Sequence, residues 1–223
     1  PFKLEALRMK TNHAAFTKTY NDQVKTKTIE IVNISGAKID LSFSRVPSHV
    51  TVKAEPASLD AEEKGKIIVK YDARKVEDWG YVRDRFFIDI NGVFDAKNRV
   101  YVSASITENF DNLSPQQLAQ APKAVYQDQR FDFGSIEKGE KVVHEFKVRT
   151  EGKSDLKIRK IKSSCGCTTT NPDKRSIPPG DTGTIRVTFN SAHKNGRQNK
   201  AVTVITNDPK NYKQVLWIKG TVN

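Results

Sequence analysis

The sequence predicts an all-β chain built as two similar β-sandwich domains in tandem, and three observations predict it. Apolar residues recur at every second position in many short runs. Turn-forming residues separate the runs roughly every ten positions, the rhythm of a sandwich rather than of helices. The pattern then returns once, at an offset of 116–118 residues.

In the first half Ile39, Leu41 and Phe43 alternate with Asp40, Ser42 and Ser44. Ile67, Val69 and Tyr71 form a second such run, Phe86, Ile88 and Ile90 a third, and Val100, Val102, Ala104 and Ile106 a fourth. Successive side chains of a strand point to opposite faces, so each run offers one apolar face to a core. The second half repeats this with Val142, His144, Phe146 and Val148, then Ile185, Val187 and Phe189, then Leu216, Ile218, Gly220 and Val222.

The halves also match residue by residue. Lys64–Tyr71 lies on Thr182–Phe189, Pro56 on Pro172, Asn91 on Asn207 and Tyr101 on Trp217. So long a period marks duplicated domains, because solenoid repeats run about 20–50 residues. Each unit has about 100 residues, the size of an immunoglobulin-like sandwich. The predicted fold is therefore two tandem immunoglobulin-like β-sandwich domains joined by a short helical linker, with domains at 1–108 and 125–223 and the linker at 109–124. Ser114 as N-cap and Pro115 at the first helical position start a helix in that linker, and Pro122 stops it.

Bulk properties narrow the function. No apolar run approaches the roughly 20 residues of a membrane-spanning helix. The chain opens at Pro1 rather than Met, which predicts a piece cut from something longer. Its formal net charge is +12, with 18 basic against 15 acidic residues up to position 110 and 20 against 11 beyond it. A basic second half is compatible with a polyanion or glycan partner, held by Lys157, Arg159, Lys160 and Lys162. The cations are scattered singly along strands instead of forming a block, which argues against nucleic acid.

No nucleophile motif, phosphate-binding glycine loop or paired carboxylate stands out, so no catalytic residue and no cofactor is expected. His144 reads as a core histidine; His13, His49 and His193 lie in turn-like surroundings and read as surface residues. Cys165 and Cys167 are the only cysteines and admit three readings. They are buried thiols acting as small hydrophobes, or a C-x-C disulfide with Gly166 in the turn, or a redox or metal site. Leu156 and Ile158 share one parity and Ile161 the other, which predicts a bulge between them. Zinc wants four ligands, and one Cys pair without a local His partner does not supply them, so no metal is expected.

The second half carries Phe131-Asp132-Phe133-Gly134, Gly152-Lys153-Ser154-Asp155-Leu156, Ser164-Cys165-Gly166-Cys167-Thr168 and Ile177-Pro178-Pro179-Gly180. In that order the segment 125–223 closely resembles a bacterial family of domains of unknown function with a C-G-C-T element, related to the abnormal-spindle/Hydin immunoglobulin-like domains. The first half resembles the same fold more loosely: it keeps Phe16 but lacks the following glycine and has no cysteine. The resemblance implies exported proteins with several such domains, serving as interaction or structural modules in the periplasm or at the cell surface, with no catalytic residue to carry over.

The expected function is thus a non-catalytic extracytoplasmic module binding a protein or cell-envelope component. Tyr101 and Trp217 fall on the face opposite the core pattern, and Phe87 is expected beside Tyr101 on the adjacent strand. These three aromatics are the expected contact residues, because aromatic rings supply large contact area.

Overall fold

A computed structural model describes residues 2–223. In chain order the strands are β1 (Phe2–Lys3), β2 (Leu7–Met9), β3 (His13–Tyr20), β4 (Val24–Asn33), β5 (Ile39–Ser44), β6 (Val50–Glu55), β7 (Ser58–Leu59), β8 (Lys64–Asp72), β9 (Gly80–Ile90) and β10 (Arg99–Thr107). A single α-helix among the described residues, α1 (Pro115–Gln120), follows. Then come β11 (Ala124–Tyr126), β12 (Arg130–Ile136), β13 (Lys141–Thr150), β14 (Leu156–Ser163), β15 (Thr168–Pro172), β16 (Ser176–Ile177), β17 (Thr182–Asn190), β18 (Gly196–Thr206) and β19 (Lys213–Val222). The chain divides into two compact units, one ending at Asn109 and the other beginning at Phe110.

Each unit is a pair of sheets with corresponding strand orders, except that β1 adds a fifth strand to one sheet of the first unit. The first has β1-β2-β4-β8-β6 and β3-β10-β9-β5-β7; the second has β11-β13-β17-β15 and β12-β19-β18-β14-β16. Among the described residues every pairing is antiparallel except β3 with β10 and β12 with β19, which are parallel. The alternating runs supply the cores. Ile67, Val69 and Tyr71 of β8 are buried with Phe86 and Ile88 of β9 and Val100, Val102, Ala104 and Ile106 of β10. In the second unit Phe146 and Val148 of β13 and Ile185, Val187 and Phe189 of β17 are buried with Leu216 and Ile218 of β19. Each large side chain so buried contributes about 1.5–3 kcal/mol.

The residue-by-residue match between the halves has a physical content. Asn91 donates its backbone N–H to the Asp40 carbonyl and accepts the Asp40 N–H on its Oδ1, both at 2.8 Å. Asn207 brackets Lys157 in the same way, at 3.2 and 2.6 Å. A buried polar side chain anchors the end of β4 and of β13 alike. The Asn33 amide donates to the Leu59 and Asp60 carbonyls, and the Thr150 hydroxyl to the Ile177 carbonyl. Gly65 and Gly183 sit beneath Leu59 and Ile177, where an added Cβ would lie 2.8 and 2.5 Å from a side-chain carbon.

Two elements follow from short motifs. Ser114 Oγ accepts the Gln117 N–H while Gln117 Oε1 accepts the Ser114 N–H, a reciprocal cap that starts α1 after Pro115 takes its first turn. The Phe131 and Phe133 rings both turn onto the core, stacked on His144 at 4.0 Å and on Phe189 at 5.4 Å. Gly134 then takes a left-handed φ of 70°, and Gly220 opposite leaves room for the Phe133 ring. A Cβ on Gly220 would meet that ring at 2.3 Å and the Gly134 carbonyl at 2.7 Å.

Gly220→Ala is therefore expected to destabilise the protein by about 1–3 kcal/mol through overpacking. Gly36→Ala, where nothing lies within 4 Å, is expected to stay within about 0.5 kcal/mol. Urea unfolding of the two variants against the parent chain measures the difference.

Candidate functional site

The cysteines sit where the chain crosses from one sheet of the second unit to the other, between β14 and β15. Their sulfurs are bonded to each other at 2.08 Å, so the reading as free buried thiols is replaced by the C-x-C disulfide. Both residues are half-buried, and Cys167 packs against the core. The bulge expected in β14 is present, as a register shift between Ile158 and Lys160, and it brings Ile161 back onto the core side.

The surrounding turn is tied to both sheets. The Ser164 N–H donates to the Ala201 carbonyl on β18, the Ala201 N–H returns to Ser164 Oγ, and the Asn190 N–H on β17 donates to the Cys167 carbonyl. Thr168, 3% exposed, sets its hydroxyl 3.4 Å from Cys165 Sγ and 3.9 Å from Cys167 Sγ. The C-G-C-T element is thus a locked crossover. Among the described residues no three metal-ligating side chains come together anywhere.

In the first unit the equivalent crossover, between β5 and β6, has no cysteines and is held by packing. His49, expected at the surface, turns inward instead: its side chain is 13% exposed, and Nε2 lies 3.2 Å from Asp84 Oδ2. Its ring stands edge-on to Tyr71 at 5.0 Å. Burial, with Asp84 and Asp78 nearby, pushes the Tyr71 hydroxyl up to about 12. His144 packs as expected of a core histidine, between Phe131 and Phe146, with Nε2 3.3 Å from Asp128 Oδ1.

The expected contact aromatics divide. Tyr101 and Trp217 take matching places on β10 and β19, half-buried, with each backbone N–H donating to the residue just before the neighbouring edge strand, Asn12 or Gln129. Each therefore lies beside a strand that ends its sheet, β3 or β12. Phe87 is a correction: it is only 4% exposed. Asn91 and Gly92, with φ of 52° and 75°, make the tight hairpin turn after β9. The loop that follows lays Phe94 edge-on against Phe87 at 5.1 Å, and Arg45 caps both rings. The aromatic left exposed there is Phe94, at 41%. The Asn-Gly dipeptide was the sequence signal for that fold-back.

Tyr101 sits on the outer face of β9 and β10, opposite Arg85 and His13 in register. The Arg83 guanidinium covers its ring at 4.0 Å, and a shallow depression of about 340 Å³ is lined by Arg83, Asp84, Arg85 and Tyr101. His13 donates or accepts through Nε2 to Ser103 Oγ at 2.8 Å. Its pKa is lowered by burial and then by the positive charges of Arg83 and Lys27.

The cations of β14 stand on the outer face on both sides of the bulge. Arg159, Lys160 and Lys162 each have interaction partners already, so they do not form a free cationic row; Lys157 is exposed.

Residues 125–222 match the model of a family described as "Protein of unknown function (DUF1573)". Among solved structures, the chain is similar to a protein of unknown function from Porphyromonas gingivalis W83, with a TM-score of 0.66 and 16% identity over 97% of this chain and 99% of that one. This likeness shows the two-sandwich fold. Weaker similarities include the ASH/PapD-like domain 7 of human CEP192, with a TM-score of 0.37 and 14% identity over 52% of this chain and 96% of that one. Another is the Salmonella enterica SafA pilin in complex with the SafB chaperone, with a TM-score of 0.34 and 12% identity over 99% and 98%. None of the curated proteins compared matches the chain.

Unfolded without reductant, the chain is expected to take up no alkylating reagent; after reduction it takes up two equivalents, read by intact mass. The bond closes a loop of only three residues, so its reduction is expected to cost about 1.5 kcal/mol of stability. Two thiols alkylated before reduction would contradict the assignment.

Proposed function

We propose that the chain is a non-catalytic interaction module working outside the cytoplasm, where it binds a protein or another cell-envelope component. The observation that carries this reading is the repeated placement of Tyr101 and Trp217. Each unit sets a half-exposed aromatic on its outer sheet face next to a terminal strand, β3 or β12. A terminal strand offers unpaired backbone N–H and C=O groups for an added strand, and an adjacent aromatic supplies contact area. The Cys165–Cys167 disulfide supports the address, because such bonds persist in oxidising compartments.

Photo-activatable residues replacing Thr17 on β3 and Ser135 on β12, both exposed, test this in intact cells. Discrete protein adducts are expected from these two positions and not from the exposed loop positions Glu62 and Lys153. Adducts at loops and edges alike, none at all, or a cytoplasmic protein with reduced cysteines would contradict it.

A further inference from the structure

The depression around Tyr101 is lined by two guanidinium groups, Arg83 and Arg85, and one carboxylate, Asp84, which lies 3.2 Å from His49 Nε2. Along β9 the outward residues are Tyr81, Arg83, Arg85, Phe87 and Asp89; along β10 they begin Arg99, Tyr101 and Ser103. Arg83, Arg85 and Arg99 are all exposed. Among the described residues none of these three guanidinium groups has a carboxylate within ion-pair distance. The carboxylate of Asp89 lies at the far end of β9, bonded to Ser44 Oγ at 2.8 Å. Arg74, by contrast, is bidentate to Asp72, and Arg186 holds Glu145. Single exposed arginines such as Arg130 and Arg197 stand without an ion pair among the described residues, but they do not cluster beside an aromatic ring as Arg83 and Arg85 do. The pKa of His13, beside Tyr101, is lowered first by burial and then by the charges of Arg83 and Lys27.

We infer that this face of the first unit binds an extended acidic segment of a protein partner, with Arg83 and Arg85 receiving its carboxylates beside Tyr101. The inference rests on the reading of the chain as an interaction module and names the chemistry of one partner. Guanidinium groups bind carboxylates through paired, charge-assisted hydrogen bonds. Arg83 and Arg85 stand two residues apart on one strand, roughly 6.8 Å between backbone positions. Same-side residues of an extended peptide have that same spacing, so carboxylates at alternate positions fall in step with them.

The ring of Tyr101 offers a stacking ligand at most one face. A sugar or a base would use the free face of an aromatic ring, and on Tyr101 the Arg83 guanidinium occupies one face at 4.0 Å. The depression is open and shallow, a surface for a peptide lying flat. Tyrosine and arginine together are also the residues that dominate protein–protein contact energies.

The test uses the full chain and two fluorescent peptides of equal composition, one alternating Glu and Thr, the other with its four Glu in a block, plus a heparin fragment. The alternating peptide is expected to bind at least fivefold more tightly than the blocked one. Arg83→Ala with Arg85→Ala should weaken it tenfold or more, Arg83→Lys with Arg85→Lys should restore part of that, and Lys157→Ala should change it less than twofold. Bound peptide should also raise the His13 titration midpoint, read by NMR, as carboxylates offset the Arg83 charge. No binding, equal binding of both peptides, full binding by the double alanine variant, or tighter heparin binding through the same two arginines would overturn the inference. Cross-links at Thr17 and Ser135 that persist in the double alanine variant would leave the module reading standing when this one falls.

Discussion

Both units depend on one constraint: a strand with apolar groups at every second position cannot be satisfied alone. Its apolar face must meet another, and its backbone must find partners at the edges. Two sheets closing on each other meet the first demand through runs such as Ile67–Tyr71 and Ile185–Phe189, whose apolar side chains are buried on inner strands of their sheets. The second demand is harder where strands end inside the sandwich, because buried polar groups without partners are costly. Asn33 and Thr150 answer it at equivalent places, using side chains to occupy the carbonyls that β7 and β16 leave open. The duplicated sequence therefore preserves an arrangement of hydrogen bonds, beyond a rhythm of hydrophobic residues.

That arrangement also explains how much of the fold could be read from the chain. Strands whose alternation is unbroken, such as β8, β10 and β17, were legible. β3 was not, because a register shift after Phe16 breaks its period, so that Ala14 and Phe16 point inward and then Thr19 does. β4 was not legible because its first half has no buried residue, its one apolar side chain there, Val24, being exposed, and only Ile29 and Ile31 carry the signal. The bulge in β14 was legible because the parity of its apolar residues changes between Ile158 and Ile161. The state of the two cysteines was not, since a C-x-C spacing with a small residue between permits a disulfide without excluding two buried thiols.

The candidate sites were less legible than the fold for a related reason. Outward position in a strand can be counted, but cover cannot. Phe87 is outward by parity and is buried under Phe94 and Arg45 by a loop contact that alternation does not report. Tyr101 is outward and stays half-exposed, yet its ring already carries a guanidinium. The two units have diverged within one architecture. The second locks its sheet crossover with Cys165 and Cys167, whereas the first packs His49 there and sets the Arg83 guanidinium over the Tyr101 ring on its outer face.

Amide hydrogen exchange tests the underlying constraint most directly. Closed sandwiches with open edges require the slowest exchange at inner strands, over residues 67–71 and 185–189, and much faster exchange along the terminal strands β6 and β15. Protection as strong at β6 and β15 as at β8 and β17, or uniformly fast exchange in the inner strands, would contradict the account.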